Sequence, residues 1–271
     1  MGSHGPSLGR AVRPARNSRT AASERRLSAG GYLARGLVSG LAAGLLSGLF
    51  LLLVGEPSID EAIRLEHAAS SGQHAAEVFT RGEQRIGMVL AAGLYGLAIG
   101  GVLGIVLLAA SRRMAGTAWD RSMKVALAGF ASSFLIPFLK YPANPPGVGD
   151  PETVGLRTAG FLFLVLVSVA AWVGAAAGAR RLAAQGVERH RRHVIVGACY
   201  LLVMGTAYLA LPPAVSPGDV PAGLLWDFRM ASVGGQAVLW TAAGAILGYL
   251  TLKVEKRAST TGAPQAAEQE V

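Results

Sequence analysis

Residues 138–157 read FLKYPANPPGVGDPETVGLR and join two long apolar runs of the chain. Four prolines fix φ here and remove amide donors, so the segment can neither continue a helix nor pair as a central strand. Gly147 and Gly149 supply the backbone freedom that the prolines remove. Lys140 and Tyr141 end one run and Arg157 begins the next, as snorkelling and interfacial residues do at a membrane surface. We therefore predict a loop of defined shape at the membrane surface.

Six uncharged, apolar runs lie on either side of such loops and explain a composition that is 52% hydrophobic and 15% charged. Most runs approach the roughly 20 residues that a helix needs to cross about 30 Å of hydrocarbon. Their apolarity is continuous, which favours helices over the alternating strands of a barrel. The sequence therefore predicts an all-α integral membrane protein of about six transmembrane helices arranged as three hairpins. The predicted spans cover residues 34–55, 86–111, 123–140, 158–179, 194–211 and 230–252.

The basic residues follow the predicted topology. Of the 25 Lys and Arg residues, 19 lie in the two tails and in the second and fourth loops, and six lie in the other three loops. By the positive-inside rule, both termini and the basic loops are cytoplasmic, and the three hairpin loops lie outside. The net charge of +9 thus reflects orientation, and we expect no nucleic-acid ligand.

Two tails are predicted to flank one membrane domain, which covers residues 31–254. Residues 1–30 are basic and poor in apolar side chains, and residues 255–271 are likewise polar, so both are expected to be disordered and cytoplasmic. A basic start followed by an apolar run also fits a signal peptide. We interpret this run as an uncleaved first span because no clear small-x-small cleavage site precedes Glu56.

Glycines recur at four-residue spacing in four of the runs. This spacing places them on one helix face, where a neighbouring helix can approach closely. We therefore predict Gly-rich helix packing, either as ordinary tight packing or as an interface that slides. The glycines are Gly36, Gly40, Gly44 and Gly48; Gly96, Gly100 and Gly104; Gly174 and Gly178; and Gly244 and Gly248.

The first outer loop, residues 56–85, is long and acidic. Its segment IDEAIRLEHAA predicts an amphipathic helix at the membrane surface. Carboxylates and imidazoles suit a borderline divalent cation such as Co²⁺ or Ni²⁺. A solvated acidic loop that binds no metal is the alternative. The candidate metal ligands are Glu56, Asp60, Glu66, His67 and His74.

The third run is short: its uncharged stretch covers only residues 125–139, between Lys124 and Lys140. About 22 Å of helix does not cross the hydrocarbon core. Either the flanking lysines snorkel, or the helix stops inside the membrane at Pro137. A short, proline-broken segment that leads into a fixed loop is typical of a transporter binding site, and a shielded short helix is the alternative.

Four motifs resemble those of the CbtA family of predicted cobalt transporter subunits: GEPSIDEAIRLE after the first run, RGEQR before the second, PFLKYPANPPGVGDPETVGLRT in the centre and LLWDFRMASVGGQAVLW at the last. The resemblance implies a membrane subunit of a bacterial cobalt uptake system in the cell membrane, linked to cobalamin biosynthesis. It also implies Co²⁺ as the transported ion and a small single-span, His-rich partner subunit. The family motifs include Arg81 and Gln84, at the point where the chain re-enters the membrane before the second run.

Residues of the central and last loops complete the family motifs, and we interpret them as the mouth of an ion pathway. The last loop, residues 211–229, leaves a helix through prolines and re-enters near an arginine, as the central loop does. These motif residues are Lys140, Tyr141, Pro142, Asn144, Pro145, Pro146, Asp150, Arg157, Asp227 and Arg229.

Two functions remain open at this point: a route for Co²⁺, or a non-conducting scaffold that binds and stabilises a transport partner. No P-loop GxxxxGK[ST] occurs, so a gradient, the membrane potential or another subunit must supply the energy. No Asp, Glu or His falls within any apolar run, which counts against a carrier with a deep ionisable site. No HExxH motif occurs and no carboxylate pair lies within the apolar runs, so we expect neither an enzyme nor a permanently bound cofactor. The lipid bilayer is one expected partner, and a homo-oligomer is left open.

Overall fold

The computed structural model describes residues 28–69, 79–149, 151–214, 218 and 220–261. Within these ranges the regular elements are helical, and six helices are long and apolar enough to cross a membrane. The prediction of an all-α protein with six such helices is confirmed. The helices are α1 (Ala29–Val54), α2 (Glu56–Ala69), α3 (Arg81–Ser111), α4 (Ala118–Lys140), α5 (Val154–Ala184), α6 (Arg189–Ala210) and α7 (Ala222–Thr261). All except α2 are of spanning length.

The helices of spanning length begin before their apolar runs, and in α3 and α4 polar residues form the first turn. The side chain of Thr80 accepts a hydrogen bond from the backbone of Glu83 at the start of α3, and Thr117 does the same with Asp120 at the start of α4. Such capping boxes satisfy amides that lack an intrahelical partner. Of the predicted tails, residues 1–27 and 262–271 lie outside the described part, and residues 255–261 belong to α7.

Helices α1 and α3 pack backbone to backbone along their glycine faces. A Cβ atom on Gly40 would lie 2.1 Å from the carbonyl oxygen of Gly96, and one on Gly100 would lie 2.2 Å from that of Gly36. No real Cβ atom tolerates these distances, so the contact requires glycine. The close packing that the spacing in α1 and α3 predicts is confirmed.

Helix α7 joins α1 and α4 into the same core. The Ser47 hydroxyl of α1 donates to the Gly235 carbonyl at 2.8 Å, and Ser122 of α4 donates to the Gly244 carbonyl at 2.7 Å. Both hydroxyls lie at buried contacts between helices, where small polar side chains permit close approach and satisfy their own hydrogen bonds. The core therefore consists of α1, α3 and α7, with α4 on α7.

Helices α5 and α6 pack on each other and on the second half of α4. Leu164, Met204 and Ala207 form their small buried cluster, and the hydroxyls of Ser168 and Tyr200 lie 2.8 Å apart. A Cβ atom on Gly174 or Gly178 would meet no described atom within 4 Å. The tight packing predicted for these two glycines is therefore absent from the described part of the chain.

Helix α4 is longer than its apolar run and continues through Pro137. Its 23 residues extend for about 35 Å, enough to cross the hydrocarbon core. Residues Ala131–Leu135 form a π-helical turn in which the Ile136 amide donates to the Ala131 carbonyl. A wider turn of this kind is one way for a helix to accommodate a residue that lacks an amide donor. Of the two alternatives for this run, the one in which the helix stops at Pro137 is therefore wrong, and the helix includes the predicted span 123–140.

Candidate functional site

Helix α2 begins directly after α1 and lies against the end of the core. The Gly55 amide closes α1 on the Leu51 carbonyl at 2.8 Å, and α2 then contacts α1 and α7. One face of α2 is buried, and Glu56, Ser58 and Ala62 lie on it. The predicted helix is confirmed, and one carboxylate from it is placed inside the protein.

Glu56 and Asp60 form a four-residue cluster with Arg81 and Arg85, which we call the acid–arginine cluster. Arg81 Nη2 lies 2.5 Å from Glu56 Oε1 and 2.6 Å from Asp60 Oδ1. Arg85 Nε lies 2.8 Å from Glu56 Oε1, and its Nη2 lies 2.8 Å from Asp60 Oδ2. Two carboxylates and two guanidinium groups therefore neutralise one another and tie α2 to α3.

The carboxylates of this cluster already accept hydrogen bonds from guanidinium groups. The hydrogen bond from Arg81 and the charges of both arginines lower the pKa of Asp60 below its ordinary value, so it is ionised near neutral pH. Arg81 is itself oriented by the Gln84 side-chain oxygen, 2.6 Å from Nη1. A metal ion would have to displace these arginines to reach the two carboxylates.

The other predicted metal ligands lie elsewhere. Glu66 and His67 are both exposed near the end of α2, and His74 lies outside the described residues. Among the described residues, no group of three or more His, Cys, Asp or Glu side chains is placed to hold a metal ion. The structure thus brings Glu56 and Asp60 together but surrounds them with arginine.

The central loop contacts α2 through Gly147, which has a φ of +71°. A Cβ atom on Gly147 would lie 2.6 Å from Glu66 Oε2, so both the backbone conformation and the contact favour glycine. Gly149, with a φ of +98°, lies against the guanidinium group of Arg157. The freedom that the sequence assigns to these glycines is therefore used, and it lets α2 and α5 approach the loop.

Two side chains tie the central loop to the last one. Arg229 of α7 donates from Nε to the Ala143 carbonyl at 3.2 Å and from Nη2 to Asn144 Oδ1 at 3.0 Å. The Tyr141 hydroxyl donates to the Pro212 carbonyl at 2.8 Å. Because these bonds join residues 71 or more apart in sequence, they hold the two loops together at one end of the helices.

An open cavity of about 440 Å³ lies in the central loop, and we call it the loop pocket. Its polar lining includes Tyr141, Asn144, Arg157 and Arg229, and none of the described residues that line it is acidic. Val154, Phe161 and Leu162 supply apolar lining from α5, and Pro142 and Pro145 supply apolar lining from the loop segment. The Nε atom of Arg157 is buried and has no hydrogen-bond partner among the described residues.

The remaining predicted site residues are more peripheral. Lys140 ends α4 with its amine 5.9 Å from the centre of the Tyr141 ring. Pro146 and Asp227 are exposed, and Asp150 lies outside the described residues.

Arg85 belongs to the acid–arginine cluster but was not among the predicted site residues. The signal was present in the sequence, because Glu56 and Asp60 are four residues apart and Arg81 and Arg85 are as well. Such a spacing places each pair on one helix face. Two facing pairs of opposite charge predict a cluster when both segments are helical.

Comparison with known proteins gives one clear match. The family described as "Probable cobalt transporter subunit (CbtA)" matches residues 30–252 of the 271-residue chain. Neither a curated protein nor a solved structure matches. The matched range contains nearly all of the six helices of spanning length, the acid–arginine cluster and the loop pocket.

Proposed function

This chain belongs to the CbtA family of probable cobalt transporter subunits, and from this premise we propose that it provides the membrane route of a bacterial Co²⁺ uptake system linked to cobalamin biosynthesis. The observation that carries the proposal is the contact of three loop segments at one end of six apolar helices. Glu66 of α2 touches Gly147 of the central loop, and Arg229 of α7 binds Ala143 of the same loop. A route across the membrane needs an entrance of this kind, formed by loops that contact one another at one end of the helices.

We further propose that the six spans form three hairpins in the cell membrane, with both termini in the cytoplasm. Residues 31–254 would then form the membrane domain, and the segments before and after it would be polar tails. The uneven distribution of 19 basic residues on one side and six on the other supports this orientation. The contacts among residues 56–69, 141–149 and 212–229 support a common side for the three hairpin loops.

The outer mouth attracts cations through α2. Its Glu66 side chain is exposed next to the central loop, and a carboxylate on a surface raises the local concentration of a divalent cation. An inside-negative potential of 100 mV then favours inward movement of Co²⁺ by about 4.6 kcal/mol, twice the value for a single charge. The potential is therefore a sufficient driving force for accumulation.

A partner subunit completes the proposal. The family description names a transporter subunit, which supports assembly with other proteins. We propose a small single-span, His-rich partner that supplies metal ligands, because the described residues hold no metal cluster of their own. Helices α5 and α6 are the least buried of the spanning helices: in their most apolar 18-residue stretches, 17% and 11% of the residues are buried. They therefore offer the most surface to such a partner or to a second copy.

A non-conducting scaffold is the second candidate. It is favoured by the absence of Asp, Glu and His from all six apolar runs, since ion pathways usually place ionisable residues at depth. In that case the partner would conduct and this chain would only stabilise it.

The deciding experiment measures uptake of radioactive Co²⁺ into proteoliposomes at a set inside-negative potential. The protein is reconstituted with and without the His-rich partner, and Ni²⁺ and Zn²⁺ serve as competitors. Uptake that rises with potential in the chain alone identifies it as the conducting subunit, and uptake only with the partner indicates a shared pathway. No uptake in either case contradicts the transport proposal and leaves the scaffold.

The variant Glu66→Gln tests the role of the mouth within this assay. It removes an exposed carboxylate next to the central loop, and we expect slower uptake at low Co²⁺ concentrations. Glu188→Gln is the matched control, because Glu188 is also exposed but lies between α5 and α6. Equal uptake by both variants would contradict attraction of the cation by α2.

A further inference from the structure

The loop pocket has the wrong charge for the cation that the family transports. Arg157 and Arg229 both line it, and none of its described lining residues is acidic. Glu66, whose carboxylate lies against Gly147 of the central loop, does not line the pocket. Two cations around one cavity of about 440 Å³ repel each other unless an anion lies between them.

We propose that the loop pocket binds a phosphate group, supplied by the head group of an anionic phospholipid or by free phosphate. Arginine suits this ligand because its planar fork donates two hydrogen bonds to phosphate oxygens. The pocket also holds the polar side chains of Asn144 and Thr158. This proposal goes beyond cobalt transport and does not depend on it.

Arg157 supplies the strongest indication of a missing ligand. Its Nε atom is buried, yet it has no hydrogen-bond partner among the described residues. A buried donor without an acceptor destabilises the protein, and more so when the group is charged. An oxyanion in the pocket would offset the charge of this guanidinium group, which lines the cavity.

Arg229 is held in place before any ligand binds. Its Nε and Nη2 atoms donate to Ala143 and Asn144, so the plane of the guanidinium group is fixed by the loop itself. A fixed donor loses less conformational entropy on binding than a free side chain does. The pocket therefore has one oriented cation and one with an unsatisfied donor.

The walls of the pocket favour a lipid as the source of the phosphate. Val154 and Leu162 on α5 line it and are 51% and 60% exposed, so an apolar surface continues from the pocket along a helix of spanning length. Lys140 and Tyr141, which end α4 beside the pocket, are residue types that lie at the head-group level of a membrane. A lipid whose head group lies in the pocket and whose acyl chains lie along α5 would contact both the polar lining and the apolar surface.

Lipid binding is tested by native mass spectrometry of the full-length protein in detergent. Phosphatidylglycerol is titrated against phosphatidylcholine for the wild type, Arg157→Gln and Arg64→Gln. Arg64 is the matched control because it is an exposed arginine of α2 that pairs with Glu61 one turn away on the same helix. We expect preference for phosphatidylglycerol in the wild type and control, and about tenfold weaker binding in Arg157→Gln, as loss of one charge-assisted hydrogen bond predicts.

A second arm distinguishes the source of the phosphate. Inorganic phosphate is added to delipidated protein, and the thermal midpoint is compared with that in chloride at equal ionic strength. Stabilisation of the wild type but not of Arg157→Gln by inorganic phosphate, without a lipid preference, assigns the pocket to free phosphate. Arg157→Lys retains the charge without the fork and provides a folded comparison if the glutamine variant aggregates. Equal binding of lipid and equal response to phosphate in wild type and Arg157 variants would overturn the proposal.

Discussion

Glu56 and Glu61 lie five residues apart on α2 but have different surroundings. The side chain of Glu56 is 8% exposed and accepts hydrogen bonds from Arg81 and Arg85 of another helix. Glu61 is 41% exposed and pairs with Arg64 one turn away. Because a buried acceptor that joins two helices contributes more than a local surface pair, the two glutamates should differ in their effect on stability.

We predict that Glu56→Gln lowers the free energy of unfolding by about 2 kcal/mol, since it removes the charge that two guanidinium groups share. Glu61→Gln should leave it unchanged. The midpoint of thermal unfolding in detergent micelles, measured for the two variants and the wild type, checks this. Equal midpoints for the two variants would mean that the acid–arginine cluster does not hold α2 to α3.

The residues of the candidate site could be predicted in part from the sequence. Acidic side chains in the first outer loop suggest a metal site, and Glu56 and Asp60 do lie together. Their partners are arginines from the start of α3, 21 or more residues further along the chain. Composition alone does not identify the partner of a charge, because that depends on how α2 folds back onto the helical core.

At the scale of the helices, the glycine pattern predicts a contact only where a partner helix is available. The pattern in α1 is matched by the pattern in α3, and the two faces interlock. The same spacing at Gly174 and Gly178 meets no described neighbour. A row of glycines on one helix face therefore permits close packing, and the arrangement of the other helices decides whether it occurs.

Gly40→Ala and Gly174→Ala form a matched pair that tests this difference. The new methyl group at position 40 would lie 2.1 Å from the Gly96 carbonyl oxygen, and separation of α1 from α3 should cost about 1–3 kcal/mol. At position 174 the methyl group meets open space, and alanine in a helix should be neutral or stabilising by roughly 0.5–1 kcal/mol.

Unfolding in detergent, followed by circular dichroism, compares these two alanine variants. A Gly40→Ala protein as stable as Gly174→Ala would contradict the backbone contact between α1 and α3. A Gly174→Ala protein that folds alone but loses its partner or its second copy would instead show that this face packs against another chain.

For helix α4, local sequence patterns predict where the helix begins but not how it continues. Its apolar run predicts a short or broken helix, but the capping box at Thr117 begins the helix early, and the π-helical turn before Pro137 lets it continue. The cap could be read from the sequence, because Thr117 and Asp120 have the spacing of a capping box. The π-helical turn could not, because a proline inside an apolar run can also end or kink a helix.

At the scale of the molecule, hydropathy predicts the six spans because lipid leaves few ways to satisfy a backbone. Every amide in hydrocarbon must be bonded within its own segment, so a long apolar run becomes a helix whatever its neighbours are. No comparable rule fixes which helices touch. The separation into a glycine-packed core of α1, α3 and α7 and a less buried pair of α5 and α6 therefore emerges only from the structure.

The orientation of these spans in the membrane can be tested by labelling single cysteines in intact cells. In a Cys199→Ala background, single cysteines replace Arg64 and Glu188, whose side chains are equally exposed at 67%. A charged, impermeant maleimide should label position 64 in intact cells and position 188 only after permeabilisation, because 19 of 25 basic residues mark the opposite side as cytoplasmic. The reverse pattern would place the acidic helix α2 inside the cell. It would also contradict the proposal that α2 attracts the cation before uptake, because the carboxylates would then face the product side.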